Sequence, residues 1–224
     1  MNVVEAIESR RSVRAFLPTA VPEETVRKIL EISARAPSGT NTQPWFVYAV
    51  AGAARDKVVA DAMQLFDTNG GSTYEDERYY PEKWNDLHAQ RRRTVGWDLY
   101  GLLGIKKGER DKTRVQHARN YRLFDAPVGL FFFTDTYLER GSWLDIGLLI
   151  ETVMLAARGF GLHTCPQACW IPYAETVRRS VGAPAGQVLT CGMALGYEDT
   201  SAVENTLVSE RESFDNFVTM KGFE

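Results

Sequence analysis

Apolar residues recur along this chain with two different periods. Val3, Val4 and Ile7 mark a short helix that ends near the cluster Arg10-Arg11-Ser12-Val13-Arg14. Pro22-Glu23-Glu24 predicts a second helix start, because proline tolerates the first helical position and acids suit the positive end of the dipole. Val26, Ile29, Leu30 and Ile32 form its apolar side, and it stops near Pro37-Ser38-Gly39. Residues 45–50 then read as a buried strand, residues 53–66 as a helix and residues 126–133 as a second buried strand. Ile146, Leu149, Ile150, Val153, Met154 and Ala157 recur at helical spacing and predict a nearly all-apolar helix over residues 143–158, closed by Gly159. Pro184-Ala185-Gly186 precedes a third apolar strand over residues 187–195, with Gly196 after it. Residues 67–120 are the least regular stretch and the most charged, with Trp84, Trp97 and Tyr100 interspersed. The tail from Ser209 carries Phe214, Phe217 and Val218 and reads as a segment that docks on something. The expectation is one α+β domain over residues 1–224, without an internal repeat or a linker.

Composition narrows the function classes. Area scaling for 224 residues buries about 70% of the unfolded surface, so the core needs no disulfide or metal staple. Lys and Arg total 26 against 29 Asp and Glu, a net charge of −3 that argues against wholesale nucleic-acid binding. Three cysteines (Cys165, Cys169, Cys191) are too few for a secreted disulfide framework. The first fourteen residues carry no apolar signal core. The most apolar stretch, residues 145–162, is interrupted by Glu151 and Arg158, so no membrane span is expected. The chain reads as cytoplasmic.

Three stations carry candidate chemistry. In Arg10-Arg11-Ser12-Val13-Arg14, planar guanidinium forks beside a hydroxyl suit a phosphate, although a solvated helix end explains them as well. The loop Pro37-Ser38-Gly39-Thr40-Asn41-Thr42-Gln43-Pro44-Trp45 is dense in hydrogen-bonding groups that either face a planar heterocycle or simply make turns. The run from Gly159 to Gln167 allows close backbone approach; Cys165 and Cys169 lack the second pair that zinc wants, and His163 reads as a packed core residue. His88 and His117 form no triad pattern with a serine. Arg91-Arg92-Arg93 and Lys106-Lys107 sit among many acids and read as a solvated face. A GxGxxG fingerprint, a Walker A loop and a GxSxG elbow are all absent, so a nucleotide cofactor is not held in the Rossmann manner.

Taken together and in this order, the three stations, with Gly192–Gly196 and Ser209-Glu210-Arg211, resemble the nitroreductase family of flavoproteins over nearly the whole chain. The resemblance implies a central, mostly antiparallel sheet flanked by helices. It also implies an obligate, intertwined homodimer with FMN at two interfacial sites and a C-terminal segment, residues 205–224, that crosses to the partner. Carried over by position, Arg10, Ser12 and Arg14 contact the FMN phosphate, ribityl chain and pyrimidine edge, with Arg11 adding a backbone contact. Arg211 closes on the phosphate. Pro37, Ser38, Gly39 and Asn41 come from the other subunit and line the isoalloxazine, and Thr164, Cys165, Pro166 and Gln167 wall the N5 face. Two departures stand out: Gln167 and Ala168 occupy positions where some members carry an acid, and Arg122 is the nearest counterpart of a lysine near flavin O2, with Arg119 and Asn120 upstream.

The resemblance further implies ping-pong hydride transfer from NADH or NADPH through flavin N5 to a nitroaromatic or quinone-type acceptor. The cofactor carries the redox chemistry, so no catalytic side chain and no metal is expected. Residues 67–120 form a variable lid in which Tyr74, Tyr79, Tyr80, Trp84, Trp97 and Tyr100 either stack on a flat acceptor or pack the excursion itself. Reductive dehalogenation of the halotyrosine-deiodinase type is an alternative, with Glu77, Tyr80 and Lys83 supplying the residue types of its lid. A non-catalytic FMN-binding protein is another.

Overall fold

The structure is a computed structural model that describes residues 1–68 and 79–223. Four strands form one antiparallel sheet in the order β1-β2-β4-β3: β1 Phe46–Ala51, β2 Val128–Asp135, β3 His163–Gln167 and β4 Gln187–Gly196. Every residue of β2 except Asp135 is buried, which is why it reads as an unbroken apolar run rather than an alternation. Its side chains divide between two cores. Phe131 and Phe133 join the first with Val58, Phe66, Trp170 and Tyr173. Leu130 and Phe132 join the second with Ile29, Ile146, Leu149 and Val153. Helices therefore cover both faces.

On the first face lie α3 (Gly52–Thr68) and α7 (Ala174–Val181), packed on each other. On the second lie α2 (Glu23–Ser33) and α6 (Arg140–Gly159). The short α1 (Val3–Ser9) opens the chain with a reciprocal cap: Asn2 Oδ1 accepts from Glu5 N–H at 3.0 Å and Glu5 Oε2 accepts from Asn2 N–H at 2.9 Å.

Several expectations need correction. β1 is not a buried strand: only Val50 is buried, because β1 pairs on one side and lies at the sheet's edge. Ile32 faces out, and α2 begins at Glu23 with Pro22 just outside it. The irregular stretch contains two helices, α4 (Asp86–Leu102) and α5 (Arg110–Ala118). α4 buries none of its residues, so it carries no apolar stripe from which periodicity could predict it. β3 escapes notice because Pro166 lies inside it, which an edge strand tolerates. α7 also went unpredicted. The tail contains one turn of helix, α8 (Phe214–Phe217).

Candidate functional site

The arginine-rich segment leaves α1 in an extended conformation, with Arg10 at φ −67° and ψ 130°. In extended chain alternate side chains share a face. Val13 is fully buried in the first core, and Arg11 pairs with Glu198. Arg10, Ser12 and Arg14 thus fall on the other side, each half-buried. Arg10 caps the end of α1, and the segment beyond it is extended and half-buried rather than fully solvated.

Three remote stretches hold the segment. Ser12 makes a parallel bridge to Thr164, and Val13 N–H donates to Thr164 O at 3.1 Å. The chain beyond β4 runs antiparallel to it, with Leu17 N–H donating to Tyr197 O at 2.9 Å and Asp199 N–H to Ala15 O at 3.1 Å. Arg14 N–H donates to Asn205 Oδ1 at 2.8 Å, while Asn205 Nδ2 donates to Ala15 O at 2.8 Å and Asp199 O at 2.9 Å.

The first and third stations therefore meet. The Ser12 hydroxyl and Arg14 guanidinium face the Cys165 thiol, which burial pushes up to about 11, so it stays protonated at neutral pH. Thr164 and Cys165 are buried. The Gln167 side chain turns inward, donating from Nε2 to Asn120 O at 2.8 Å and accepting from Trp170 Nε1 at 3.3 Å. Only Pro166 of this set is half-exposed.

The second station lies elsewhere. Thr40, Asn41 and Gln43 adopt left-handed backbone angles, with φ of 47°, 60° and 47°. Ser38 Oγ accepts from Gln43 N–H at 3.0 Å, and Gly39 N–H donates to Asp145 Oδ1 in α6 at 3.1 Å. Among the described residues no hydrogen bond or ion pair joins Pro37, Ser38, Gly39 or Asn41 to the arginine segment. Arg211 is also apart: its Nη1 donates to Ser209 Oγ at 2.8 Å and to Glu210 O at 2.9 Å, within its own exposed stretch.

Other candidates divide similarly. Arg122 pairs with Asp125 at 3.0 Å, and Arg119 pairs with the buried Glu204 and stacks over Phe124 at 5.9 Å. Asn120 donates to His117 O at 3.0 Å. In the excursion Tyr79 meets Tyr80 edge to face and Tyr80 tilts against Trp84, with Arg92 4.4 Å from the Trp84 ring and 5.0 Å from the Tyr80 ring. Trp97 packs on Tyr100 at 6.1 Å. Tyr79 also lines a cavity of about 820 Å³ with Arg140 and Trp143, a volume suited to a small aromatic molecule. Tyr74 and Glu77 lie outside the described residues.

Sequence reasoning missed Asn205 and Glu198, the two buried polar residues that clasp the segment. No spacing marks them, because each works on residues nearly two hundred positions away. No helix among the described residues is long and apolar enough to cross a membrane.

Comparison with known proteins finds relatives along nearly the whole chain. The chain is 36% identical over 215 residues to 4-nitrobenzoate reductase of Nocardioides sp. (strain LMS-CY), covering 95% of this chain and 87% of that protein. The FMN and NADPH-dependent nitroreductase NfnB from Sphigopyxis sp. strain HMH superposes with a TM-score of 0.93 at 36% identity, covering 100% of both chains. The FMN-dependent nitroreductase NfnB from Mycobacterium smegmatis, solved with NADPH, gives a TM-score of 0.91 at 32% identity over 98% of this chain and 97% of that one. The model of the Nitroreductase family matches residues 7–197, a span that holds the extended arginine segment, the sheet and both strands that flank the site, and the chain belongs to that family.

Proposed function

We propose that this protein is an FMN-dependent NAD(P)H oxidoreductase that reduces nitroaromatic or quinone-type acceptors. The observation that carries the reading is the single face formed by Arg10, Ser12 and Arg14, held by hydrogen bonds from three remote stretches. The residues fit the phosphate of FMN. Arg10 makes no side-chain hydrogen bond among the described residues, its nearest carboxylate oxygen lying 3.6 Å away on Glu151, so its donors are unspent. The relatives named above act on nitrobenzoate or use FMN and NADPH, which agrees in chemical class.

When bound, FMN would supply the hydride chemistry that links NAD(P)H to the acceptor. The chain's own residues bind and orient. Arg10, Ser12 and Arg14 hold the phosphate, ribityl chain and pyrimidine edge, and Arg11 contributes its backbone. Cationic Arg14 favours negative charge at that edge by preorganised electrostatics. Thr164, Cys165, Pro166 and Gln167 form the wall beside N5, where the high Cys165 value keeps the thiol from acting as a nucleophile.

Pro37, Ser38, Gly39, Asn41 and Arg211 complete the site only in a homodimer. Support for a dimer lies in the apolar side chains left open on a single protomer. Val3, Val4 and Ile7 of α1, Leu144 and Leu148 of α6, and Phe214 and Phe217 of the tail are all exposed. β1 presents an unpaired edge on which a crossing segment can pair. In this reading residues 1–224 form one domain, residues 67–120 form its lid over a small aromatic acceptor, and residues 205–224 cross to the partner of a cytoplasmic enzyme.

The test is an anaerobic absorbance spectrum of the purified protein before and after NADPH, then NADH. Flavin bands that bleach within seconds support the reading. Bands that persist with both donors point to a flavin-binding protein without this activity, and no flavin after incubation with FMN rejects it.

A further inference from the structure

Behind the arginine segment lies a cluster that the proposed activity does not use. The Glu198 carboxylate, whose side chain is 6% exposed, pairs through Oε1 with Arg11 Nη2 and places Oε2 3.2 Å from His163 Nε2. Arg158 Nη1 donates to that same His163 nitrogen at 2.7 Å and to Leu162 O at 3.2 Å, and Arg158 Nε donates to Ser9 Oγ at 3.2 Å. Arg11 thus pairs with the carboxylate directly, while Arg158 reaches it only at longer range, across His163. Burial, then the positive Arg158, lowers His163 to about 4, so the imidazole adds no charge near neutral pH. Among the described residues buried Arg11 Nε has no hydrogen-bond partner, and Glu198 is the group that holds this side chain.

The geometry points to Glu198 as a positioning residue for the flavin-facing side chains of Arg10, Ser12 and Arg14, acting through Arg11; this rests on the FMN reading above. Arg11 lies between Arg10 and Ser12 and faces the opposite way. Anchoring it to the chain just after β4 fixes the rotation of the extended segment, and that rotation decides where Arg10, Ser12 and Arg14 point. The main chain at Glu198 is itself bridged to Phe16, so the anchor is rigid. Without the carboxylate, Arg11 loses its counterion while the like charge of Arg158 still acts on it, so Arg11 leaves its anchor.

The experiment compares FMN with riboflavin, which lacks the phosphate, in titrations of the apoprotein followed by flavin fluorescence. Glu198→Gln keeps the shape and removes the charge. The expected result is FMN binding weakened about tenfold, the scale of a lost charge-assisted hydrogen bond, with riboflavin, which keeps the ribityl chain and pyrimidine edge but lacks the phosphate, weakened by no more than about threefold. Glu198→Asp falls between the two. In an Arg11→Met background Glu198→Gln has little further effect on FMN, because the residue it acts through is gone. Equal weakening for both flavins, or none for FMN, overturns the role of Glu198. Should Glu198→Gln not fold, Glu198→Asp and Arg11→Met give the same comparison. Wild-type protein that binds neither flavin overturns the FMN reading itself, a different result from wild type that prefers FMN regardless of residue 198.

Discussion

Asn205 holds Arg14 from the far end of the chain, its Oδ1 accepting the Arg14 N–H at 2.8 Å while its Nδ2 donates to the carbonyl of Ala15 at 2.8 Å. One amide thus supplements the main-chain bridges on either side of it. Asn205→Ala leaves the Arg14 N–H without its acceptor, although Ala15 O keeps the Asp199 N–H, and lowers stability by about 1–3 kcal/mol. The same variant binds FMN more weakly. Urea unfolding and flavin titration check both, and full retention of the two properties rejects the clasp.

Gly192 has no room for a side chain. A Cβ there meets Trp170 Cδ1 at 2.3 Å and Cγ at 2.9 Å, and Trp170 is fully buried among aromatic neighbours. Gly192→Ala displaces the indole beside Gln167 and costs about 1–3 kcal/mol, as is typical of overpacking. A lowered unfolding midpoint with altered near-ultraviolet circular dichroism is expected; an unchanged midpoint refutes it.

His163 makes stability depend on acid. Its folded value, lowered from 6.5 to about 4, lies below that of the unfolded chain, so the unfolded chain binds the extra proton between those two values. Its contribution is complete above about pH 6.5 and is lost as the pH falls toward 4. His163→Gln removes the titration, so its stability declines less steeply through that window than the wild type's. Parallel curves from denaturant titrations at several pH values rule the effect out.

The other two histidines stand outside the proposed chemistry. His88 lies on α4, and His117 packs edge-on against Phe66 and Tyr121 with its value lowered by burial. In stopped-flow reduction of the flavin-loaded protein, His88→Ala and His117→Phe stay within about tenfold of wild type, or ~1.4 kcal/mol. A greater loss with flavin still bound assigns an acid–base role that the reading does not contain.

Leu144 is 68% exposed on the outer face of α6, one turn before Leu148, so within one protomer it touches little. Leu144→Glu therefore leaves the protomer folded but places a charge in the proposed dimer contact. Sedimentation velocity is expected to show a shift from dimer to monomer together with loss of FMN. A variant that sediments like wild type excludes this face.

Much of the fold was legible in the sequence, because short-range pattern encodes it. The unbroken apolar run of β2 announces a strand buried on both faces, and the helical recurrence from Ile146 to Ala157 announces α6. The spacing of Arg10, Ser12 and Arg14 is likewise local, since alternation in an extended chain places all three on one face. What the sequence left hidden depends on remote neighbours. β3 contains a proline and is a strand only because β4 pairs along it; α4 is a helix that buries no residue of its own. The burial of Asn205 and Glu198 is decided by which distant segment closes over them, and a polar side chain carries no periodic mark of that. Local chemistry and alternation put the residues that can grip a phosphate on one face, and only the tertiary structure decided what that face and its reverse meet.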